Sequence, residues 1–411
     1  MPTMSSSTWH SRALAVVALA LPPTAAAGPL FGVGQAQLFR VLLGVTLLLA
    51  VVPVPRSGRR LPAAFLALAA LVLVSAGITR LWPGWDDGGL VELASLVAGL
   101  LLAAALARAG TWRWLALGVV LTVLGQAVVV IWEVTSGLHL PTFALTWEDD
   151  RFMGMWFQMA GTFANPNQLG HLLVVAFPVT VAVVATERSW WLRGPALLAA
   201  LLCPWLVHET GSRISLLVLL VEISAVLLLV RHGWMVLAAA AAAGAATLLL
   251  HPGVLTALLP VDEGEISTDD PRLNLAVNGG WMLLRTWGLG VGPGQYGAWT
   301  LLPESPREPF GLTNPHNAVV EIASQYGIVV AAALLTVVVV VLWWARQAWR
   351  RGERTQRFTP LAVFLVLGLW PVIGMTNSTW MPLSWSVLEL GLLGAVAARL
   401  AQDRGDVPAP D

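Results

Sequence analysis

Twelve stretches of this chain are apolar for long enough to cross a lipid bilayer, and nothing else in it constrains the fold as strongly. They fall at about 12–29, 36–53, 61–79, 89–107, 112–132, 168–185, 191–208, 213–230, 234–250, 317–342, 360–376 and 383–400. At 1.5 Å of rise per residue, about 20 apolar residues cover a hydrocarbon layer of roughly 30 Å. The expected architecture is an all-α polytopic membrane protein of about twelve transmembrane helices, forming a single integral membrane domain over 1–411. The first stretch is the weakest, because Pro22 and Pro23 interrupt it. Composition agrees: 57% hydrophobic residues, 11% charged residues and a mean hydropathy of +0.74 lie far outside the soluble range.

Residues 13–22 follow Arg12 and precede the small side chains of Ala25–Ala27, as in a secretory leader. Cleavage there would remove one span of many, so we read an uncleaved first helix. A formal net charge of zero leaves no bulk basic field, and nucleic acid is not expected as a partner. The single cysteine, Cys203, excludes an internal disulfide and a cysteine-based metal cluster. Trp82, Trp85, Trp112, Trp114, Trp190 and Trp191 fall where an aromatic belt would sit.

All 23 basic residues are arginine, and the apolar stretches sort 16 of them to one side and seven to the other. The crowded side is cytoplasmic by the positive-inside rule, which places both termini there. The outside receives Arg40, Arg80, Arg151, Arg213, Arg272, Arg285 and Arg307. Positive charge on the side that should carry least of it needs a reason, and an anionic lipid substrate supplies one. Two external segments, about 133–167 and 251–316, exceed the 12–15 residues beyond which loops are usually functional or disordered. Residues 273–287 suit a short amphipathic helix at the membrane surface. The acidic run Asp262, Glu263, Glu265, Asp269 and Asp270 lacks calcium-loop spacing and reads as a solvated face.

Candidate chemistry gathers in these segments. Arg213 follows Gly211 and Ser212 at an external helix start, as a snorkelling interfacial arginine or as an anion clamp. Its guanidinium stays protonated and matches phosphate oxygens. Arg272 follows Asp269, Asp270 and Pro271, so it either closes a salt-bridged helix start or heads a binding segment. Beyond it, GLGVGPG at 288–294 is no dinucleotide fingerprint, because it follows a helix rather than a strand and contains Pro293. It reads as a tight turn with close backbone approach. Arg285, flanked by tryptophans, is a weaker binding candidate.

His316, between Pro315 and Asn317, is the acid–base candidate, with an unperturbed pKa near 6.5; the alternative is a turn histidine. Asn314 and Asn317 stand ready to hold its ring or a sugar. Asn317, Glu321 and Gln325 recur every four residues and form one polar stripe facing the protein interior. Asn165, Asn167 and Gln168 suit either a helix cap or sugar hydroxyls. Glu222 lies mid-helix, where it lines a cavity or secures packing.

At GTFANPNQLG, TGSRISLL, the spacing from Arg272 to Gly290-Val291-Gly292, and PHN followed by EIASQYG, the chain resembles the O-antigen ligase/polymerase family of bacterial membrane glycosyltransferases. The resemblance spans about 150–345. It departs from the family at Ala276, where a tryptophan is usual. It implies a GT-C-like glycosyltransferase of the inner membrane with a periplasmic active site. The donor would be a glycan on undecaprenyl diphosphate and the acceptor a hydroxyl of lipid A–core, joined with inversion and without metal or other cofactor. By motif, Arg213 and Arg272 would bind the diphosphate and His316 would activate the acceptor hydroxyl. Arg285, Asn165, Asn167, Gln168, Asn314, Asn317 and Glu321 would complete the substrate site. A polymerase using the same donor is the near alternative. A lipid-linked oligosaccharide transporter is the distant one, disfavoured because the stretches at 36–53, 61–79, 89–107 and 234–250 are nearly devoid of charge.

Overall fold

A computed structural model describes residues 6–30, 32–33, 36–51, 60–82, 89–108, 110–143, 157–250, 269–309, 312–375, 380–381 and 383–403. A helix falls within each of the twelve expected stretches. In chain order these are α1 Ser6–Ala27, α2 Leu38–Ala50, α3 Arg60–Thr79, α4 Gly89–Leu106, α5 Thr111–Ser136, α6 Pro166–Thr186, α7 Trp190–Glu209, α8 Arg213–Leu229 and α9 Gly233–Leu250. After them come α10 Asp269–Arg285, the short α11 Tyr296–Thr300, α12 Ala318–Arg351, α13 Phe358–Ile373 and α14 Ser384–Asp403. The described β structure is one two-residue hairpin, Gly32–Val33 with Ala36–Gln37.

Among the described residues, eight helices are long and apolar enough to span a bilayer: α3 to α7, and α12 to α14. Of the remaining four expected crossings, α1 carries Pro22 and Pro23, α2 has 13 residues and α8 has 17, while α9 has 18. Of the twelve expected crossings, eight thus meet the length and composition of a span among the described residues.

Close packing rests on small residues, as expected where lipid gives helices no hydrophobic reason to associate. α4 and α14 meet with the Gly394 backbone against Ala103, where an added Cβ would lie 2.2 Å from the Ala103 oxygen. α1 and α5 meet at Gly118, 2.5 Å from the Leu19 oxygen by the same measure. Polar links join helix ends that the arginine sorting puts on one side. Arg113 pairs with Glu187 at 2.6 Å, Arg354 donates to the Leu229 carbonyl at 2.8 Å, and Arg108 caps the Ala50 carbonyl. At the arginine-poor end, Met159 donates to the Glu209 carbonyl at 2.9 Å and Ala318 to the Gly374 carbonyl at 3.3 Å. The alternation read from the sequence thus recurs in which ends touch.

Of the two long segments, 144–156, 251–268 and 310–311 lie outside the described residues, and with them Arg151 and Asp262, Glu263 and Glu265. Of the rest, residues 157–165 lead into α6, and α10 and α11 occupy the second segment.

Candidate active site

The GTFANPN segment is fastened by buried side chains of α5. The Gly161 amide donates to Glu133 Oε2 at 2.7 Å, and the Thr162 amide to Gln126 Oε1 at 3.1 Å. Gln126 Nε2 donates back to Thr162 Oγ1 at 2.7 Å. Glu133 also holds His139 Nδ1 at 2.7 Å, and the His139 ring stacks on Phe143 with centroids 4.0 Å apart. Asn165 then caps α6 by accepting from the Gln168 amide at 3.1 Å, while Gln168 Oε1 accepts from the Ala164 amide at 3.2 Å. Asn167 is half-buried at the first turn. Capping alone accounts for the contacts of Asn165 and Gln168.

Gly211 has φ 62 and presses on the Gln158 side chain, so the turn into α8 abuts the segment just described. Ser215 Oγ donates to Ser212 Oγ at 3.0 Å. A Cβ on Gly170 would lie 2.5 Å from Ser215 Oγ, which is how closely α6 and α8 approach. Arg213 is exposed at the first turn of α8, beside free helix amides whose dipole favours anions.

The glycine string turns out to be the seam between α10 and α12. The Val291 amide donates to the Ser324 carbonyl at 2.8 Å, Gly292 to Gln325 at 2.9 Å, and Ile328 back to Gly288 at 2.8 Å. These bonds exist because α12 is broken at Gly327, whose φ of 83 and ψ of 170 release carbonyls from the helix. The Tyr326 carbonyl so freed accepts from Ser75 at 2.7 Å. Neither Gly290 nor Gly327 has room for a Cβ, each meeting opposing backbone within 2.6 Å.

This seam carries Arg272 and His316 into one neighbourhood. Arg272 is half-buried in the first turn of α10, and its charge acts on His316. Burial, and then the Arg272 cation, hold the imidazole down at about 4, from an ordinary 6.5. His316 sits at φ 48, a left-handed conformation uncommon outside glycine and costly enough to mark functional positions. Asn317 caps α12, its Oδ1 accepting from the Val319 and Val320 amides at 2.9 and 3.2 Å. Asn314 is exposed beside it.

Glu321, one turn on, is buried and grips a second segment. Its Oε2 accepts from the Trp380 amide at 2.7 Å and its Oε1 from the Met381 amide at 3.1 Å. Trp380 in turn donates its indole N–H to Glu389 at 2.7 Å, and Glu389 pairs with His171 of α6. Gln325 is buried with Glu321, as the four-residue spacing predicted. The polar pairs of His139 with Glu133 and of His171 with Glu389 were not expected from sequence.

Below this cluster lies an apolar cavity of about 530 Å³ among α6, α12, α13 and α14. It reaches from Val319 and Ile322 near the Asn317 cap to Val338 and Val396, with Glu389 its one acidic lining residue. Arg285 stands apart from it, exposed at the far end of α10. Glu222 is buried in α8 with neither carboxyl oxygen hydrogen-bonded. Among the described residues no three His, Cys, Asp or Glu side chains gather as a metal site.

Residues 196–335 match the family model described as O-antigen ligase. Over that stretch the chain is similar to the O-antigen ligase family. The matched stretch runs from α7 into α12, so it takes in Arg213, Arg272, Arg285, His316 and Glu321, and leaves Asn165, Asn167 and Gln168 outside. No curated protein matches the chain. The match supports a ligase or polymerase type of function, and the apolar helices a multi-pass membrane protein.

Proposed function

We propose that this chain is an O-antigen ligase that transfers a glycan from undecaprenyl diphosphate to a hydroxyl of lipid A–core at the periplasmic face of the inner membrane. The observation that carries the reading is the Arg272 cation acting on a half-buried His316, at the start of a helix that walls an apolar cavity. An amphiphile with an anionic head and a long apolar tail matches that pairing of environments.

In this reading Arg272 and Arg213 bind the diphosphate, and the acceptor oxygen attacks the anomeric carbon from the opposite face, inverting it. The glycosyl–phosphate bond breaks and the diphosphate departs with the electron pair. It is a stable leaving group, so the main requirement is neutralising its developing charge, which arginines at a low-dielectric boundary do well. His316 receives the acceptor proton. With Arg272 alone beside it, the imidazole is a poor base; a bound diphosphate offsets the Arg272 charge and lifts its basicity. The base is thus strengthened when the donor is in place. Holding both substrates in one membrane supplies proximity.

Lipid analysis of a strain lacking the protein tests this. A ligase defect leaves bare core while full-length glycan accumulates on undecaprenyl diphosphate. Single repeat units on the carrier and on the core would instead identify a polymerase, and bare core with lipid-linked precursor trapped on the cytoplasmic side would identify a transporter.

A further inference from the structure

α10 ends in a hydrogen-bonded turn that normally requires glycine. The Gly288 amide donates to the Leu283 carbonyl at 2.7 Å and the Trp287 amide to the Leu284 carbonyl at 3.3 Å. That paired closure places the residue after the helix in the left-handed region, where a side chain is strained. Here that residue is Trp287, at φ 55. The protein gives it little packing in return: Trp287 is 90% exposed, and Leu284 before it is 82% exposed. A large aromatic side chain held in a strained backbone, with most of its surface bare, points to an environment outside the chain.

The surroundings of Trp287 say what that environment is. The exposed apolar surface continues through Leu289 onto Ile328 and Val329 of α12. Gly288 seats directly on Ile328, and the Ile328 amide donates to the Gly288 carbonyl. Ile328 opens the uninterrupted apolar run IVVAAALLTVVVVVLWWA, which ends at Arg346 and is long enough to cross the bilayer. The patch therefore sits where α12 leaves lipid. Arg285, exposed beside it, supplies a cation of the kind that snorkels to phosphate.

We propose that the C-terminal end of α10 is seated in the leaflet at the arginine-poor end of the bundle, with Leu284 and Trp287 in the interfacial acyl layer and Arg285 on lipid phosphates. Tryptophan and arginine are the residues that anchor at this depth. α10 then leads from the membrane surface toward His316, and Arg272, 13 residues back along the helix, lies about 20 Å from the anchor. The seating fixes the height of Arg272 above the lipid. It does not rest on the transfer reaction, and its failure would leave that reading standing.

Nitroxide labels report this directly, because Cys203 is buried and stays unlabelled. Leu284→Cys and Leu289→Cys are labelled singly in the full chain, in nanodiscs of phosphatidylethanolamine and phosphatidylglycerol. Val329→Cys serves as the lipid reference and Glu304→Cys as the water reference. Labels at 284 and 289 should relax severalfold faster with oxygen than with a water-soluble nickel chelate, as at 329. Adding Trp287→Gly, which suits the left-handed backbone and keeps the fold, should move the 284 label toward the behaviour of 304. Relaxation at 284 and 289 like that of 304 without this second change overturns the proposal. So does spin–spin broadening that disappears on mixing with unlabelled protein, since a second copy would then cover the patch.

Discussion

The charge of Arg272 bears on His316, although 44 positions separate them in the sequence, and it helps burial keep that imidazole neutral. Replacing Arg272 with glutamine should raise the His316 pKa from about 4 toward, but not to, the ordinary 6.5, because burial remains the larger cause. Histidine resonances followed through a pH titration in detergent check this. A folded pKa below the unfolded one means that the unfolded chain binds more protons between the two values. Stability contributed at His316 is therefore present above about 6.5 and lost as pH falls toward 4. The wild-type chain should lose thermal stability over that window more steeply than Arg272→Gln.

His316→Asn separates chemistry from structure. Asparagine tolerates the left-handed conformation better than most residues. Thermal stability should stay within about 1 kcal/mol of wild type, with only a single half-buried turn residue exchanged. Glycan transfer in reconstituted membranes should fall by 100-fold or more, the usual contribution of a positioned base. Near-normal transfer would remove His316 from the mechanism.

Gly327→Ala and Gly290→Ala should each break the seam between α10 and α12. At Gly327 the new Cβ would lie 2.5 Å from the Leu289 oxygen, at a φ of 83. Backbone strain costs about 1–3 kcal/mol, and overpacking a similar amount. Both variants should melt several degrees lower and lose transfer. Gly280→Ala, with nothing within 4 Å of its Cβ, should keep both.

Glu321→Gln replaces one acceptor oxygen with a donor that faces a backbone N–H. Leaving the Trp380 or Met381 amide unsatisfied in a buried place should cost about 1–3 kcal/mol, read as a lower melting temperature. Glu321→Asp, with its shorter reach, should be no better. A variant as stable as wild type would show that the clasp on residues 380–381 is dispensable.

How much could be read beforehand differs residue by residue. The helices were legible because apolar length is a local property, yet length also failed at α2, whose regular helix stops at 13 residues. Asn165 was legible as a cap, since a cap acts on amides two or three residues away, whereas Asn317, expected to hold a ring or a sugar, caps α12 instead. The stripe of Glu321 and Gln325 followed from helical spacing. What Glu321 grips did not, because Trp380 lies 59 positions on. His171 and Glu389, 218 positions apart, gave no signal at all before α6 and α14 were brought together.

The sequence by itself determined that this chain lives in a membrane, which ends of its helices share a side, and which arginines stand out there. Each follows from transfer of side chains between water and lipid, a cost paid residue by residue whatever the packing. Only the tertiary structure decided that the glycine string closes on the break in α12, that the charge of Arg272 reaches His316, and that an apolar cavity lies among α6, α12, α13 and α14. Those depend on backbone approach and on distances between remote segments, and no local pattern in a single chain encodes such distances.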